Sequence, residues 1–228
     1  MVSCKKDNND TQSGSTVKKV LSDNLKLGYH FDDFSGGLVK DYSGNNHDGS
    51  PTGLTLATGV SGNAVLFDNI TDNLQIPSGL GEFDKGLTID FWFLFITPGV
   101  MQNYYNILDE GSNGNVTFAL RIDSSQKPYI EYQKNSVSYP GVKSLTSLAD
   151  STWYHIAFVY NGSETKIFLN GQLNNTGPLL VGVINSWNTL YLGGNYWTNA
   201  GFTGMIDELR ICNHAFKDSE VKELMTIH

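Results

Sequence analysis

The sequence predicts an all-β chain, a two-sheet antiparallel β-sandwich closed by a short C-terminal helix. Three observations predict it: stretches that alternate with period two, a glycine content of 24 against 6 prolines, and Asn-Gly pairs standing between consecutive apolar runs. Alternation places every second side chain on one face of a strand, and Asn-Gly supplies the positive φ pair that tight hairpin turns need.

Taken in chain order, the first strand is expected near 27–31, followed by strands near 63–67 and 73–76. In LTIDFWFLF, Leu87, Ile89, Phe91, Phe93 and Phe95 share one face, while Thr88, Asp90, Trp92 and Leu94 share the other. VTFALRID sets Val116, Phe118, Leu120 and Ile122 against Thr117, Ala119, Arg121 and Asp123. A strand near 129–133 precedes WYHIAFVY, in which Tyr154, Ile156, Phe158 and Tyr160 oppose Trp153, His155, Ala157 and Val159. Both faces of these runs are apolar enough to be covered, as in a sandwich with loops folded over an outer side. Asn161-Gly162 and Asn170-Gly171 then predict a meander over 153–160, 165–169 and 172–174, with further strands near 190–192 and 204–212. The helix is expected at 219–225, where Val221, Leu224 and Met225 recur at i, i+3 and i+4 behind Asp218 as cap.

At 228 residues, one large all-β domain can bury about 70% of its unfolded-chain surface, so folding does not require a metal or disulfides. The formal charge is −8, and Lys5-Lys6 and Lys18-Lys19 are the basic clusters, both near the N-terminus. Phosphate backbones are repelled by such a chain, which argues against nucleic acid as partner. Of the two cysteines, Cys4 lies in the polar segment CKKDNNDTQSGSTVKK and Cys212 in an apolar run. They suggest neither a disulfide framework nor a zinc site. No apolar run reaches the roughly 18 residues of a membrane-spanning helix.

Residues 1–22 are expected to be a disordered tether and 23–228 the folded domain, because the tether is too polar to repay its ordering entropy. Cys4, followed by charged residues and a flexible spacer, resembles the mature start of a bacterial surface lipoprotein of the Bacteroidetes type. The resemblance implies lipidation at Cys4, an extracytoplasmic outer-membrane or cell-surface location, and membrane attachment by lipid alone.

Four segments in order, YHFDDFSGGLVKDYSGNNHDG (29–49), GNAVLFDNITDNLQIP (62–77), TWYHIAFVYNGSETKIFLNGQ (152–172) and FTGMIDELRICNHAF with the helix after it (202–225), resemble the LamG-like jelly-roll family of the concanavalin A-like lectin/glucanase group. The resemblance implies a jelly roll and one structural Ca²⁺, held between the early acidic turn and the Asp of the Gly-x-Ile-Asp strand. The matching positions are Asp33, Asp41, Asn46 and Asp207, and alternation along Met205, Asp207, Leu209 and Ile211 sets Asp207 on an apolar face where a bare carboxylate is costly. Cys212 replaces an aromatic usual in the family, suggesting a buried thiol.

Sugar rings stack on aromatic side chains while their hydroxyls seek amides and carboxylates. Aromatics expected in loops are Tyr104, Tyr105, Tyr139, Trp187, Tyr196 and Trp197, the last two within a glycine-flanked Asn-Tyr-Trp-Thr-Asn run. Catalysis has little support. The E-x-D-x-x-E string of laminarinase-type sandwiches is missing, as are HExxH, GxSxG and P-loop strings. Asp109 and Glu110 are adjacent and would point to opposite faces of a strand, whereas glycosidases need two facing carboxylates. His155 reads as a packed structural residue. The expected function is therefore a noncatalytic carbohydrate-binding or adhesive module of a monomeric surface lipoprotein. A protein–protein interaction module and a hydrolase with an unrecognised site are the alternatives.

Overall fold

The computed structural model describes residues 9–83, 86–97, 103–110, 116–134, 137–178, 188–194 and 200–228. Its strands are β1 (Leu25–Tyr29), β2 (Ser50–Thr52), β3 (Thr55–Thr58), β4 (Asn63–Phe67), β5 (Asn73–Ile76), β6 (Leu87–Ile96), β7 (Tyr104–Glu110), β8 (Val116–Asp123), β9 (Pro128–Lys134), β10 (Val137–Lys143), β11 (Trp153–Tyr160), β12 (Thr165–Leu169), β13 (Gln172–Gly177), β14 (Leu190–Gly193) and β15 (Thr203–Cys212). Helix α1 (Asn9–Asn24) precedes them and α2 (Asp218–Leu224) follows.

Every strand pairing is antiparallel, in two sheets. One runs β13-β12-β11-β6-β15-β4-β3, with β1 as an eighth strand also paired to β15. The seven-stranded sheet runs β10-β9-β8-β7-β14-β5-β2. The expected sandwich is thus present. Its core takes Ile89, Phe91, Phe93 and Phe95 of β6, Ile156 and Phe158 of β11, and Phe118, Leu120 and Ile122 of β8, all on the faces that alternation assigns. The Asn170-Gly171 pair forms the expected two-residue hairpin, with φ of 49° and 70°. Asn161-Gly162 instead opens a four-residue loop, closed by Asn161 N–H donating to the Glu164 carbonyl at 3.2 Å.

The N-terminal segment departs from expectation. Residues 9–24 are helical, and Val17 and Leu21, one turn apart, bury against Ala157, Val159, Phe168 and Cys212 on the outer face of the eight-stranded sheet. Phe216, Val221 and Leu224 of the C-terminal region join this second core. Composition missed the helix because its polar N-terminal half hides an i, i+3, i+4 stripe of Val17, Val20 and Leu21. Tertiary burial supplies what propensity lacks. The outer cover on this side is therefore a pair of helices rather than loops. Helix α2 begins at Asp218, with Lys217 in the cap position and its N–H donating to Glu220 at 2.8 Å.

Of the register shifts among the described strands, those in β7 and β15 bear on the site. In β7 the register shifts between Asn106 and Leu108, so Tyr105 and Leu108 face inward while Tyr104, Asn106 and Asp109 face outward. In β15 it shifts between Asp207 and Arg210, where Glu208 has a φ of 51°. The core residues there are Ile206, Leu209 and Ile211, so Asp207 belongs to the bulge and not to an apolar row with Leu209 and Ile211.

Candidate functional site

The outward face of the seven-stranded sheet carries a largely polar row that is buried at its centre, where Asp109 is 5% exposed. Register aligns Ser50 with Gln75, Gln75 with Tyr191, and Tyr191 with Asp109. It continues through Ala119 and Glu131 to Pro140, so one transverse line crosses all seven strands. Beside it runs a second line of Asn106, Arg121, Tyr129 and Lys143, and Tyr104 pairs with Asp123 in a third.

Arg121 is the centre of this face. Its Nε donates to Asn106 Oδ1 at 2.9 Å, its Nη1 pairs with Glu131, and its guanidinium lies 4.2 Å from the ring centroid of Tyr104. Planar guanidinium on an aromatic face, with carboxylate and amide oxygens in its plane, is a rigid arrangement. Lys143 pairs with Asp123 and approaches the Tyr129 ring. Burial, reinforced by Glu110 and Glu131 and opposed by Arg121, pushes the Asp109 carboxyl up to about 6.

That shift has a testable sign. An acid whose folded pKa lies above its unfolded value near 3.9 favours the folded state when protonated. Stability credited to Asp109 is therefore greatest below about pH 4 and lost as pH rises to about 6. Asp109→Asn is expected to raise stability at pH 7.5 by about 1 kcal/mol and to flatten the pH dependence between about pH 4 and pH 6. Urea titrations at several pH values check this, and an unchanged pH profile in the variant contradicts it.

The aromatics expected in loops fall differently. Tyr104 and Tyr105 lie in β7 and Tyr139 in β10. Tyr105 is 1% exposed in the core and offers no platform, Tyr104 is half-buried beneath Arg121, and Tyr139 is 47% exposed and stacked on Tyr132 at the sheet edge. The bulge at Ile107 breaks the period in YYNILDE, and Pro140-Gly141 interrupt VSYPGVK, which is why neither reads as a strand. Trp187, Tyr196, Trp197 and Cys4 lie outside the described residues.

The chain that follows each of those aromatic segments is nevertheless held to β7. Asn188 donates through its backbone N–H and its Nδ2 to Glu110 Oε1, at 3.2 and 3.0 Å. Asn106 N–H donates to the Ala200 carbonyl at 2.6 Å, and Gly201 forms a parallel bridge with Asn106. Gly194 and Gly201 pack so closely on Ile70 that a Cβ at Gly201 would lie 2.1 Å from its carbonyl oxygen. Asp109 and Glu110 do point to opposite faces, since they pair with Ala119 and Leu190 respectively.

The residues expected to hold Ca²⁺ are not gathered into one cradle. Asp207 Oδ2 accepts from the N–H groups of Val60 and Ser61 at 2.8 and 3.0 Å, and Oδ1 from Glu208 N–H at 2.9 Å. Asp41 is occupied by its own turn, accepting from Gly28, Ser43 and His47 N–H groups. Asp33 accepts from Ser35 N–H, and Asn46 is exposed with a φ of 63°. Among the described residues, no group of three or more His, Cys, Asp or Glu side chains comes together as a metal site.

The same architecture occurs in known proteins. Residues 67–222 match the family model Laminin_G_3, described as the concanavalin A-like lectin/glucanases superfamily. Domain 4 of an extracellular arabinanase from Geobacillus stearothermophilus is 24% identical with a TM-score of 0.72, over 88% of this chain and 98% of that one. A botulinum neurotoxin type C chain is 15% identical with a TM-score of 0.74, and the binding domain of Paraclostridial Mosquitocidal Protein 1 is 18% identical with a TM-score of 0.69. These comparisons cover 92% and 90% of this chain, which spans about half the length of both toxin chains, 52% in each case. At these identities the likeness is one of fold. A search of curated proteins finds no match.

Proposed function

The chain belongs to the concanavalin A-like lectin/glucanases superfamily, and from that premise we propose that it is a noncatalytic glycan-binding module of a cell-surface lipoprotein. The observation that carries this reading is the polar row across the seven-stranded sheet, with Arg121 held between Asn106, Glu131 and the Tyr104 ring. Asn106, Asp109 and Arg121 are buried, and the exposed Gln75 and Lys143 and the part-exposed Tyr129, Glu131 and Tyr191 around them offer hydroxyl-rich ligands acceptors, donors and aromatic edges held in place by that buried support. The aromatic segments carrying Trp187 and Tyr196-Trp197 rejoin the fold at the same strand, β7. Two fold relatives lend support: the arabinanase domain was solved in complex with arabinotriose, and cellular uptake of the neurotoxin is described as dependent on two ganglioside molecules.

The surface role rests on Cys4 as the lipidated residue. Helix α1 packs on the outer face of the eight-stranded sheet, the side opposite the polar row.

A polysaccharide screen on the full chain, repeated with Tyr104→Ala and Trp197→Ala, tests the reading. At least one neutral polysaccharide is expected to bind, about tenfold or more weakly in each variant, since a stacking aromatic is worth about 1–3 kcal/mol. If nothing binds and neither substitution has an effect, the protein–protein alternative takes its place. Release of reducing ends from a bound polysaccharide would overturn the noncatalytic assignment. Melting with and without chelator tests calcium: a Tm that drops on chelation, and does so less in Asp207→Asn, is the result that binding predicts.

A further inference from the structure

Asparagine followed by glycine is chemically labile, because the next backbone nitrogen lies within reach of the side-chain carbonyl carbon and glycine has no Cβ to bar the approach. Two such pairs stand among the described residues, Asn161-Gly162 after β11 and Asn170-Gly171 after β12. Asn113-Gly114 lies outside them. The surroundings of the two described pairs differ.

Asn161, Gly162 and Ser163 are exposed. Asn161 Oδ1 accepts three hydrogen bonds, from Ser163 N–H at 3.0 Å, the Ser163 hydroxyl at 2.8 Å and Glu164 N–H at 3.0 Å. Donors gathered on one carbonyl oxygen polarise it and stabilise the negative charge that grows there when its carbon is attacked. Asn161 Nδ2, the nitrogen that would leave, donates to Glu164 Oε1 at 3.4 Å, so a carboxyl group stands where it can relay a proton to departing ammonia. Gly162 has a φ of 90°, and a Cβ there would meet nothing within 4 Å, so the attacking nitrogen is uncrowded.

Asn170 is held in the opposite sense. It occupies the two-residue hairpin turn at a φ of 49°, its N–H donates to the His155 carbonyl at 2.8 Å, and its Oδ1 accepts from His155 N–H at 2.9 Å. Both bonds direct the residue to β11, away from the Gly171 nitrogen, and one donor stands where Asn161 has three. Gly171 is buried, and a Cβ on it would lie 3.0 Å from Lys222 Cα, which leaves the turn little room to rearrange.

We propose that Asn161 is a self-modification site: its loop promotes condensation of the carboxamide with the Gly162 nitrogen, while the hairpin protects Asn170. The Gly162 nitrogen gives up its proton and bonds to Asn161 Cγ, the Cγ–Nδ2 bond breaks, and Nδ2 takes a proton and leaves as ammonia. The cyclic imide then takes up one water and opens to aspartate or isoaspartate. Either product sets a new carboxylate beside Glu164, on the wall of a groove lined also by Lys166, Phe216 and Lys217.

The test incubates the full chain at neutral pH, folded and in urea, and reads each site by peptide mass mapping and isoaspartate-specific methylation. In urea the two pairs should react at similar rates. In the folded protein Asn161 should react at least about tenfold faster than Asn170, and faster than it does itself in urea. Ser163→Ala and Glu164→Gln, checked for folding by circular dichroism, should each slow Asn161 severalfold in the folded protein and leave its rate in urea unchanged. If folded Asn161 reacts no faster than in urea, or if neither variant slows it, the loop does not promote the reaction. Equal rates at the two sites in the folded protein would overturn the protection of Asn170.

Discussion

Arg210→Ala is expected to destabilise the domain by about 3–5 kcal/mol, the usual cost of leaving one member of a buried ion pair alone. Arg210 is 1% exposed and Asp90 is fully buried beneath it. Both Nε and Nη2 donate to Asp90 Oδ1, the former at 3.0 Å, and His155 Nε2 lies 3.2 Å from the same oxygen. Burial pushes the Asp90 carboxyl upward, but Arg210 and then His155 overcome it and hold the group below the usual carboxylate range. The guanidinium also reaches the C-terminal region of α2, donating to the carbonyls of Leu224 at 2.9 Å and Ile227 at 2.7 Å. Alanine therefore strands a carboxylate and uncaps a helix end together. Replacing both partners, as Asp90→Leu with Arg210→Met, should cost less than the single change, because no charge is left behind. Urea unfolding of the three variants decides it. A single-variant loss under about 1 kcal/mol would mean that Asp90 finds compensation elsewhere.

Leu21→Asp, made in a Cys4→Ser background, is expected to lower stability by about 3 kcal/mol and to expose the Cys212 thiol. Leu21 is 6% exposed and Cys212 is fully buried in the same cluster. Burial pushes the Cys212 thiol well above its ordinary range, so it should be inert to thiol reagents while α1 is docked. A carboxylate at position 21 cannot be buried cheaply and should lift the helix from Ala157, Val159 and Phe168. Labelling with a chromogenic disulfide is then expected within minutes, against hours for the Cys4→Ser parent. If the variant protects Cys212 as well as its parent does, α1 is not what covers it.

Much of the fold is legible one strand at a time. Burying one face forces the period-two pattern of β6, β8 and β11, and Asn170-Gly171 occupies positive φ because a two-residue hairpin requires it. The ordered motifs led to the same sandwich, and the buried His155 and Cys212 are where an apolar strand would put them. Alternation misled at the bulges: Glu208 puts Asp207 out of phase with Leu209, and Ile107 hides β7 altogether. Helix α1 was missed for a related reason, since its two buried residues gain stability only from a surface formed 130 and more residues later.

What the sequence by itself determined is therefore the class of the fold, the inward face of its long strands and the shortage of basic charge. Only the tertiary structure decided that Asp109, Ala119 and Glu131 stand in one row and that Arg121 is held by Glu131 above Tyr104. The physical reason is register. Periodicity along a strand reports which face a residue takes, whereas its neighbours across a sheet are set by hydrogen bonds between distant segments and by single-residue bulges that leave no periodic trace.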